Sequence, residues 1–331
     1  MGTRDAASSR DHPCRAPLPR WESRLLNIVA IIGPTASGKS TIAEAAASRF
    51  GAEIVSVDSM QVYRGMDIGT AKATPDVRSR IAHHMIDVVE PSDEFSVAEF
   101  QVMGQQVLET ADAAAKRVVI AGGSGLHFRS LVDPLTFLPT DPAIRTELEG
   151  MSLEELQQEL LAIDHSAPDV VDMRNPRRLI RAIEVWRITR RTPSEREHAP
   201  EARAVREYVP RVKFAGIGVD CGSLSGQRVV ERFDRMIADG LLAEVRDLAP
   251  LLGRSASQAV GYKELLGVVA GTTSLADASA EAVRVTNALV KRQRTYFRRD
   301  PRIEWIPWID DKTARIDAAV RRIGEVSGWS S

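Results

Sequence analysis

Leu25-Leu26-Asn27-Ile28-Val29-Ala30-Ile31-Ile32-Gly33-Pro34-Thr35-Ala36-Ser37-Gly38-Lys39-Ser40 is the stretch on which the fold turns. Its first half is almost wholly apolar and ends at a glycine, the pattern of a strand buried on both faces. Its second half matches G-x-x-x-x-G-K-[ST] in full. A helical stretch follows over residues 39–50 and closes at Gly51. Strand, glycine-rich turn and helix together give the motif its mechanism. Glycines let backbone N–H groups turn inward as a nest for an anion, and the helix aims its positive end at the same point. Lys39 adds a point charge for a terminal phosphate, and the Ser40 hydroxyl suits Mg2+. Residues 33–40 are therefore expected to hold a di- or triphosphate group.

Working outward, residues 53–58 form a second strand candidate and residues 86–89 a weaker third. A long helical pattern covers residues 96–116, and a strand over 117–121 stops at Gly122-Gly123. Such alternation means βαβ units and a parallel sheet. Strand signals vanish over residues 141–211, where helical windows at 153–161 and 177–190 take over; residues 212–219 return one strand, and helices dominate 227–299. The expected architecture is an α/β, P-loop NTPase-like parallel sheet flanked by helices, over residues 25–140 and 212–331. An all-helical insertion occupies 141–211. Residues 1–24, polar and broken by Pro13, Pro17 and Pro19, are expected to be a disordered extension.

Composition narrows the function. With 331 residues, 44% hydrophobic and 27% charged, the chain is an ordinary globular sequence, which excludes wholesale disorder. Cys14 and Cys221 cannot build a disulfide framework or a cysteine-based zinc site, so a reducing, cytoplasmic setting is expected. No apolar run approaches the roughly 18 residues of a membrane span, and no membrane partner is expected. The net charge is −1, but its distribution is uneven. Residues 174–191 hold seven arginines against the single acid Glu184, and residues 291–299 hold Lys291, Arg292, Arg294, Arg298 and Arg299 with no acid. Leu179, Ile180, Ile183 and Trp186 make an apolar stripe behind an Asn175-Pro176 cap, leaving Arg177, Arg178 and Arg181 largely off it. Tyr296 and Phe297 sit among the second set of cations, a mixture that stacks bases as well as gripping phosphate. The blander reading is a pair of solvated helix faces.

Asp58 ends the second strand, where open α/β sheets place ligands. By position alone it fits a Mg2+ ligand, a general base or a simple cap. His83-His84 is not a metal pair, because neighbours on a strand point to opposite faces. The residues thus suggest a small phosphorylated donor and a polynucleotide acceptor. A P-loop small-molecule kinase would leave the basic helices without a role. An RNA-binding GTPase would need N-K-x-D, which does not occur.

At these residues the sequence resembles the tRNA dimethylallyltransferase (tRNA isopentenyltransferase) family. The matching blocks are the phosphate loop, Ser56-Val57-Asp58-Ser59-Met60-Gln61-Val62-Tyr63, Gly65-Met66-Asp67-Ile68-Gly69-Thr70-Ala71-Lys72, His83-His84, Gly122-Gly123-Ser124-Gly125-Leu126, Asn175-Pro176-Arg177-Arg178-Leu179, Val260-Gly261-Tyr262-Lys263-Glu264 and Lys291-Arg292-Gln293. They run in family order over nearly the whole chain. The resemblance implies transfer of a dimethylallyl group from its diphosphate to N6 of adenosine 37 in the tRNA anticodon loop, with Mg2+ and release of diphosphate. It implies no obligate protein partner and a monomer.

The same resemblance implies site roles. Asp58 matches the family's base, with Ser124 at the adenine and Arg232 at the leaving group. Arg228 joins Gly33, Pro34, Thr35, Ala36, Ser37, Gly38, Lys39 and Ser40 at the diphosphate, and Ser40 is the metal ligand. Contacts to tRNA are implied for Asp58, Ser59, Met60, Gln61, Ser124, Arg145, Arg177, Arg178, Leu179, Ile180, Arg181, Gln258, Ala259, Val260, Gly261, Tyr262, Lys263, Lys291, Arg292, Gln293, Arg294 and Arg298. Three departures stand out: Ser124 where many members have Thr, His127 in place of a common Tyr, and Ala73 where Pro is usual.

Overall fold

Six strands form one parallel sheet in the order β3-β2-β4-β1-β5-β6: β1 Ile28–Ile32, β2 Glu53–Val57, β3 His83–His84, β4 Val118–Gly122, β5 Ala215–Gly218 and β6 Ile303–Trp305. This is a computed structural model that describes residues 27–330, so the expected N-terminal extension and the first residues of the first expected strand lie outside the described part. Helices α1 (Lys39–Phe50), α2 (Pro75–Arg80), α3 (Val97–Ala113) and α4 (Gly125–Val132) accompany the first four strands. Then come α5 (Pro142–Glu149), α6 (Leu153–Ile163), α7 (Ala167–Val170), α8 (Pro176–Thr189), α9 (Pro193–Glu197) and α10 (Pro200–Arg206). Between β5 and β6 lie α11 (Ser225–Ala238), α12 (Leu241–Leu248), α13 (Tyr262–Val269) and α14 (Leu275–Phe297), and α15 (Lys312–Ser327) follows β6.

The period-two geometry of β1 divides its apolar run between two cores. Ile28, Ala30 and Ile32 join Phe100, Phe128 and Phe297 on one face. Val29 and Ile31 join Ile42, Ala43, Ala46, Ala47 and Phe50 of α1, with Ala319 and Ile323 of α15, on the other. Residues 141–211 carry a third core of their own, in which Leu148, Leu156, Leu160, Leu179 and Ile183 pack together. Asp133, just after α4, pairs with Arg129 and Arg302, and Arg211 at the far end of the segment donates its backbone N–H to the Val132 carbonyl at 2.7 Å. The Arg129 and Arg302 guanidiniums lie over the ring of Tyr208, at 4.7 and 5.2 Å.

Two sequence expectations need correction. The third strand is His83–His84, not residues 86–89. Met85 and Asp87 have φ of 61° and 55°, which breaks the extended chain, and Val89 makes only an isolated bridge with Tyr63. The strand β6 and the helix α15 were not anticipated; at three residues, β6 is too short for periodicity to register.

The register positions the site. Ile32 of β1 and Val57 of β2 both pair with Gly122 of β4. Three chain segments therefore leave the sheet at one level: the loop beginning at Gly33, the turn beginning at Asp58 and the turn carrying Gly123 and Ser124.

Candidate functional site

Residues 33–38 form the turn that the sequence demands. A Cβ on Gly33 would lie 2.0 Å from the Val219 carbonyl oxygen, and Gly38 has φ +85° at the N-cap of α1. Both positions exclude ordinary side chains. No side chain caps α1, so its first N–H groups remain available to an anion. Lys39 Nζ donates to the Pro34 carbonyl at 3.3 Å, folding the ammonium over the loop. The Ser37 hydroxyl is buried without a hydrogen-bond partner. Arg228 donates from Nε to the Ala36 carbonyl at 2.8 Å and lies 5.1 Å over the Trp308 ring, whose other neighbour is Arg315 at 3.9 Å. Sequence reasoning did not find Trp308; it follows β6, the strand that left no signal.

Asp58 stands at the mouth of this cradle. One carboxylate oxygen accepts the backbone N–H of Met60 at 2.9 Å and of Gln61 at 3.4 Å, so the group is fixed by its own turn. Gln61 braces that turn, accepting from Ser56 Oγ at 2.7 Å and donating to the Thr70 carbonyl at 3.0 Å. Burial, and then the Arg232 guanidinium, push the Lys39 ammonium down to a pKa of about 8, against the pull of Asp58. Burial lowers Arg232 from its usual range too, again opposed by Asp58. Two cations and a carboxylate thus share one partly dry chamber. Among the described residues, Lys39, Arg228 and Arg232 form no ion pair with any carboxylate.

Two cavities meet here. The smaller, about 60 Å³, is lined by Lys39, Ser40, Glu44 and Ser56. The larger, about 410 Å³, is walled by Val229, Phe233, Met236, Leu241 and Val260, with Ser124, Arg292, Gln293 and Tyr296 on its polar side. Thr35, Asp58, Thr70 and Arg232 border both. The apolar wall was missed in the sequence, although Val229, Phe233 and Met236 recur at helical spacing along α11.

The remaining expected contacts divide sharply. Ser59, Met60, Gln258, Ala259, Val260 and Gly261 line the larger cavity together with the exposed Arg292, whereas Arg177, Arg178, Lys263 and Lys291 are exposed and do not line it. Leu179 and Tyr262 are fully buried, and Ile180 packs against the helical core. The Tyr262 hydroxyl donates to Glu244, whose carboxylate also accepts the N–H groups of Asp67, Ile68 and Gly69; this pair holds the turn behind Thr70. Gln293 is likewise a brace, accepting from Thr35 N at 2.8 Å and donating to the Gly123 carbonyl at 2.9 Å. Arg294 forms two bonds to Asp220, and Arg298 reaches the same carboxylate at 3.5 Å. Arg145 and Arg181 both converge on Glu184, whose side chain is wholly buried.

A metal would find few protein ligands. Among the described residues, no group of three His, Cys, Asp or Glu side chains could hold one. The exposed Ser40 hydroxyl beside the cradle is a hard oxygen donor, which fits Mg2+ held mainly through a ligand's own phosphate oxygens. No helix among the described residues is long and apolar enough to cross a membrane.

The sequence and the fold both match known proteins. The sequence model of the IPP transferase family matches residues 61–300. A tRNA dimethylallyltransferase of Acidothermus cellulolyticus is 39% identical over 313 residues, covering 92% of this chain and 95% of that protein. One from Salinispora tropica is 38% identical over 287 residues, covering 84% and 88%. Among solved structures, the tRNA delta(2)-isopentenylpyrophosphate transferase of Staphylococcus epidermidis superposes with a TM-score of 0.65 at 31% identity, covering 91% of this chain and 99% of its own. A eukaryotic dimethylallyltransferase acting on tRNA shares the fold, with a TM-score of 0.75 at 21% identity over 92% of this chain and 80% of its own.

Proposed function

The chain belongs to the IPP transferase family, that of the tRNA dimethylallyltransferases, and from that premise we propose how its residues carry out the transfer. The enzyme moves a dimethylallyl group from dimethylallyl diphosphate to tRNA, at N6 of adenosine 37 in the anticodon loop. The observation that carries this reading is the meeting of two cavities at Thr35, Asp58 and Arg232. The phosphate loop holds the diphosphate in the smaller one. The apolar wall of the larger suits a five-carbon chain and an extruded base, whose unstacking costs a few kcal/mol.

Adenine's exocyclic amine is a weak nucleophile, since its lone pair is delocalised into the ring. As its nitrogen bonds to C1 of the donor, the C1–O bond breaks and the electron pair leaves with diphosphate. The free oxygen of the Asp58 carboxylate takes the N6 proton. Negative charge growing on the leaving group meets the loop N–H groups, Lys39, Arg228 and Arg232, fixed donors that need no reorganisation. Mg2+ on Ser40 would add further charge neutralisation there. The helical segment over residues 141–211 serves as the tRNA-binding domain, with Arg177 and Arg178 presented outward.

Nucleoside mass spectrometry of tRNA incubated with the enzyme, dimethylallyl diphosphate and Mg2+ tests the proposal. Prenylated adenosine is expected, and none in a tRNA with guanosine at position 37. Unmodified adenosine 37 after exhaustive incubation would overturn it.

A further inference from the structure

Ser124 is the N-cap residue of α4, yet its hydroxyl caps no backbone N–H. It lies instead 2.7 Å from Nδ1 of His127, one helical turn on, while the Ser124 backbone N–H donates to the Val57 carbonyl at 3.1 Å. His127 is 8% exposed, and its ring stands at 81° to the Phe100 ring, with centroids 4.6 Å apart. That edge contact limits rotation of the imidazole about its own bond. Burial lowers the ring's pKa from the ordinary imidazole range, against the pull of Asp58, and so favours the neutral imidazole. Ser124 borders the larger cavity beside Asp58.

A serine hydroxyl offers one hydrogen and two lone pairs. When a neutral imidazole nitrogen accepts that hydrogen, both lone pairs of the oxygen are left for the cavity. The amine on adenine carries two hydrogens and needs an acceptor for each. Asp58 takes the one that is lost, and a second acceptor would fix the plane of the amine and aim its lone pair at the donor carbon.

We infer that His127 is a positioning residue for the transfer, holding the Ser124 hydroxyl so that its oxygen accepts the retained N6 hydrogen of adenine. The inference rests on the function proposed above. It assigns the imidazole hydrogen to Nε2 and leaves Nδ1 as the acceptor. A hydroxyl free to rotate would present its own hydrogen to the amine part of the time, at a cost in rate and none in donor binding.

A double-mutant cycle on the full-length enzyme tests this, with tRNA and dimethylallyl diphosphate as substrates and thermal melts to confirm folding. His127→Phe is expected to lower kcat about tenfold, the worth of one well-placed hydrogen bond, with the donor KM unchanged. His127→Asn, whose amide oxygen accepts near the place of Nδ1, recovers most of the loss. Ser124→Ala combined with His127→Phe is no slower than Ser124→Ala alone, because the histidine acts only through the serine. Losses that multiply, an Asn variant no better than Phe, or an effect confined to KM would each overturn the inference. A wild-type enzyme that prenylates while His127→Phe matches it sinks this inference alone; a wild-type enzyme that fails to prenylate sinks the function beneath it.

Discussion

The reaction chamber and the helical segment over residues 141–211 both gather cations, yet they treat them in opposite ways. Lys39 and Arg232 crowd one partly buried space, with Arg228 bonded to the Ala36 carbonyl of the adjoining loop, and among the described residues no carboxylate forms an ion pair with any of the three. In the helical segment, Glu184 takes in Arg145 and Arg181, and Arg187 spans Glu147 and Glu159. Crowded, desolvated cations without counter-ions are unfavourable until an anion arrives. Paired cations are already satisfied and hold helices together. The contrast separates charge kept for a ligand from charge consumed by the fold, a distinction no count along the chain can make.

The sharpest way to break the comparison is to remove the chamber's own acid. Asp58→Ala is expected to cut kcat by about 10²–10⁴, the usual contribution of a positioned general base. Affinity for tRNA, measured separately by filter binding, should hold within a few-fold. A variant that turns over at the wild-type rate would show that the amine loses its proton elsewhere, and that the carboxylate held by Met60 and Gln61 is a turn cap.

A second test uses the strain among the cations. Lys39 titrates near pH 8 in the unliganded site because burial and Arg232 oppose its charge. Below that pH the ammonium is present and the donor KM should be level. As pH rises through 8, the lysine loses its proton before the donor binds, and KM should climb by up to about tenfold per pH unit. Lys39→Arg, charged throughout, should flatten that limb. A KM in the wild type that stays level to pH 9.5 would mean that the ammonium is not what holds the diphosphate.

Much of the fold was legible because its signals are local. The run before Gly33 announced a buried strand, and α1 spans the helix that the sequence pattern outlined, from Lys39 to Phe50. The chamber was legible where chemistry dictates residue type, as at Lys39 and Asp58. It was illegible where role depends on a distant partner. Gln293 joins Thr35 to Gly123 across the molecule, and Tyr262 supports Glu244, so both sit in motif blocks for structural reasons that spacing does not display. His83 and His84 behaved as strand geometry requires: His84 bonds Glu53 at 2.7 Å and His83 the Ile81 carbonyl at 2.8 Å, on separate partners.

The finest test lies within a single helix. Arg177, Arg178 and Arg181 follow one another on α8 and line, with Arg196, a groove of about 550 Å³. Arg181 also donates to the Leu138 and Pro139 carbonyls as well as to Glu184, whereas no ion pair engages Arg177 or Arg178 among the described residues. Replacing Arg177 and Arg178 together by Ala should leave the melting temperature alone. It should lower the slope of log K for tRNA against log salt by about one for each lost phosphate contact. Arg181→Ala should do the reverse, costing about 1–3 kcal/mol of stability as Glu184 loses a partner, with little change in slope. If instead all three replacements lower the slope equally, Glu184 does not withdraw Arg181 from the ligand. The division between chamber and helical segment would then fail at the residue where it is drawn most finely.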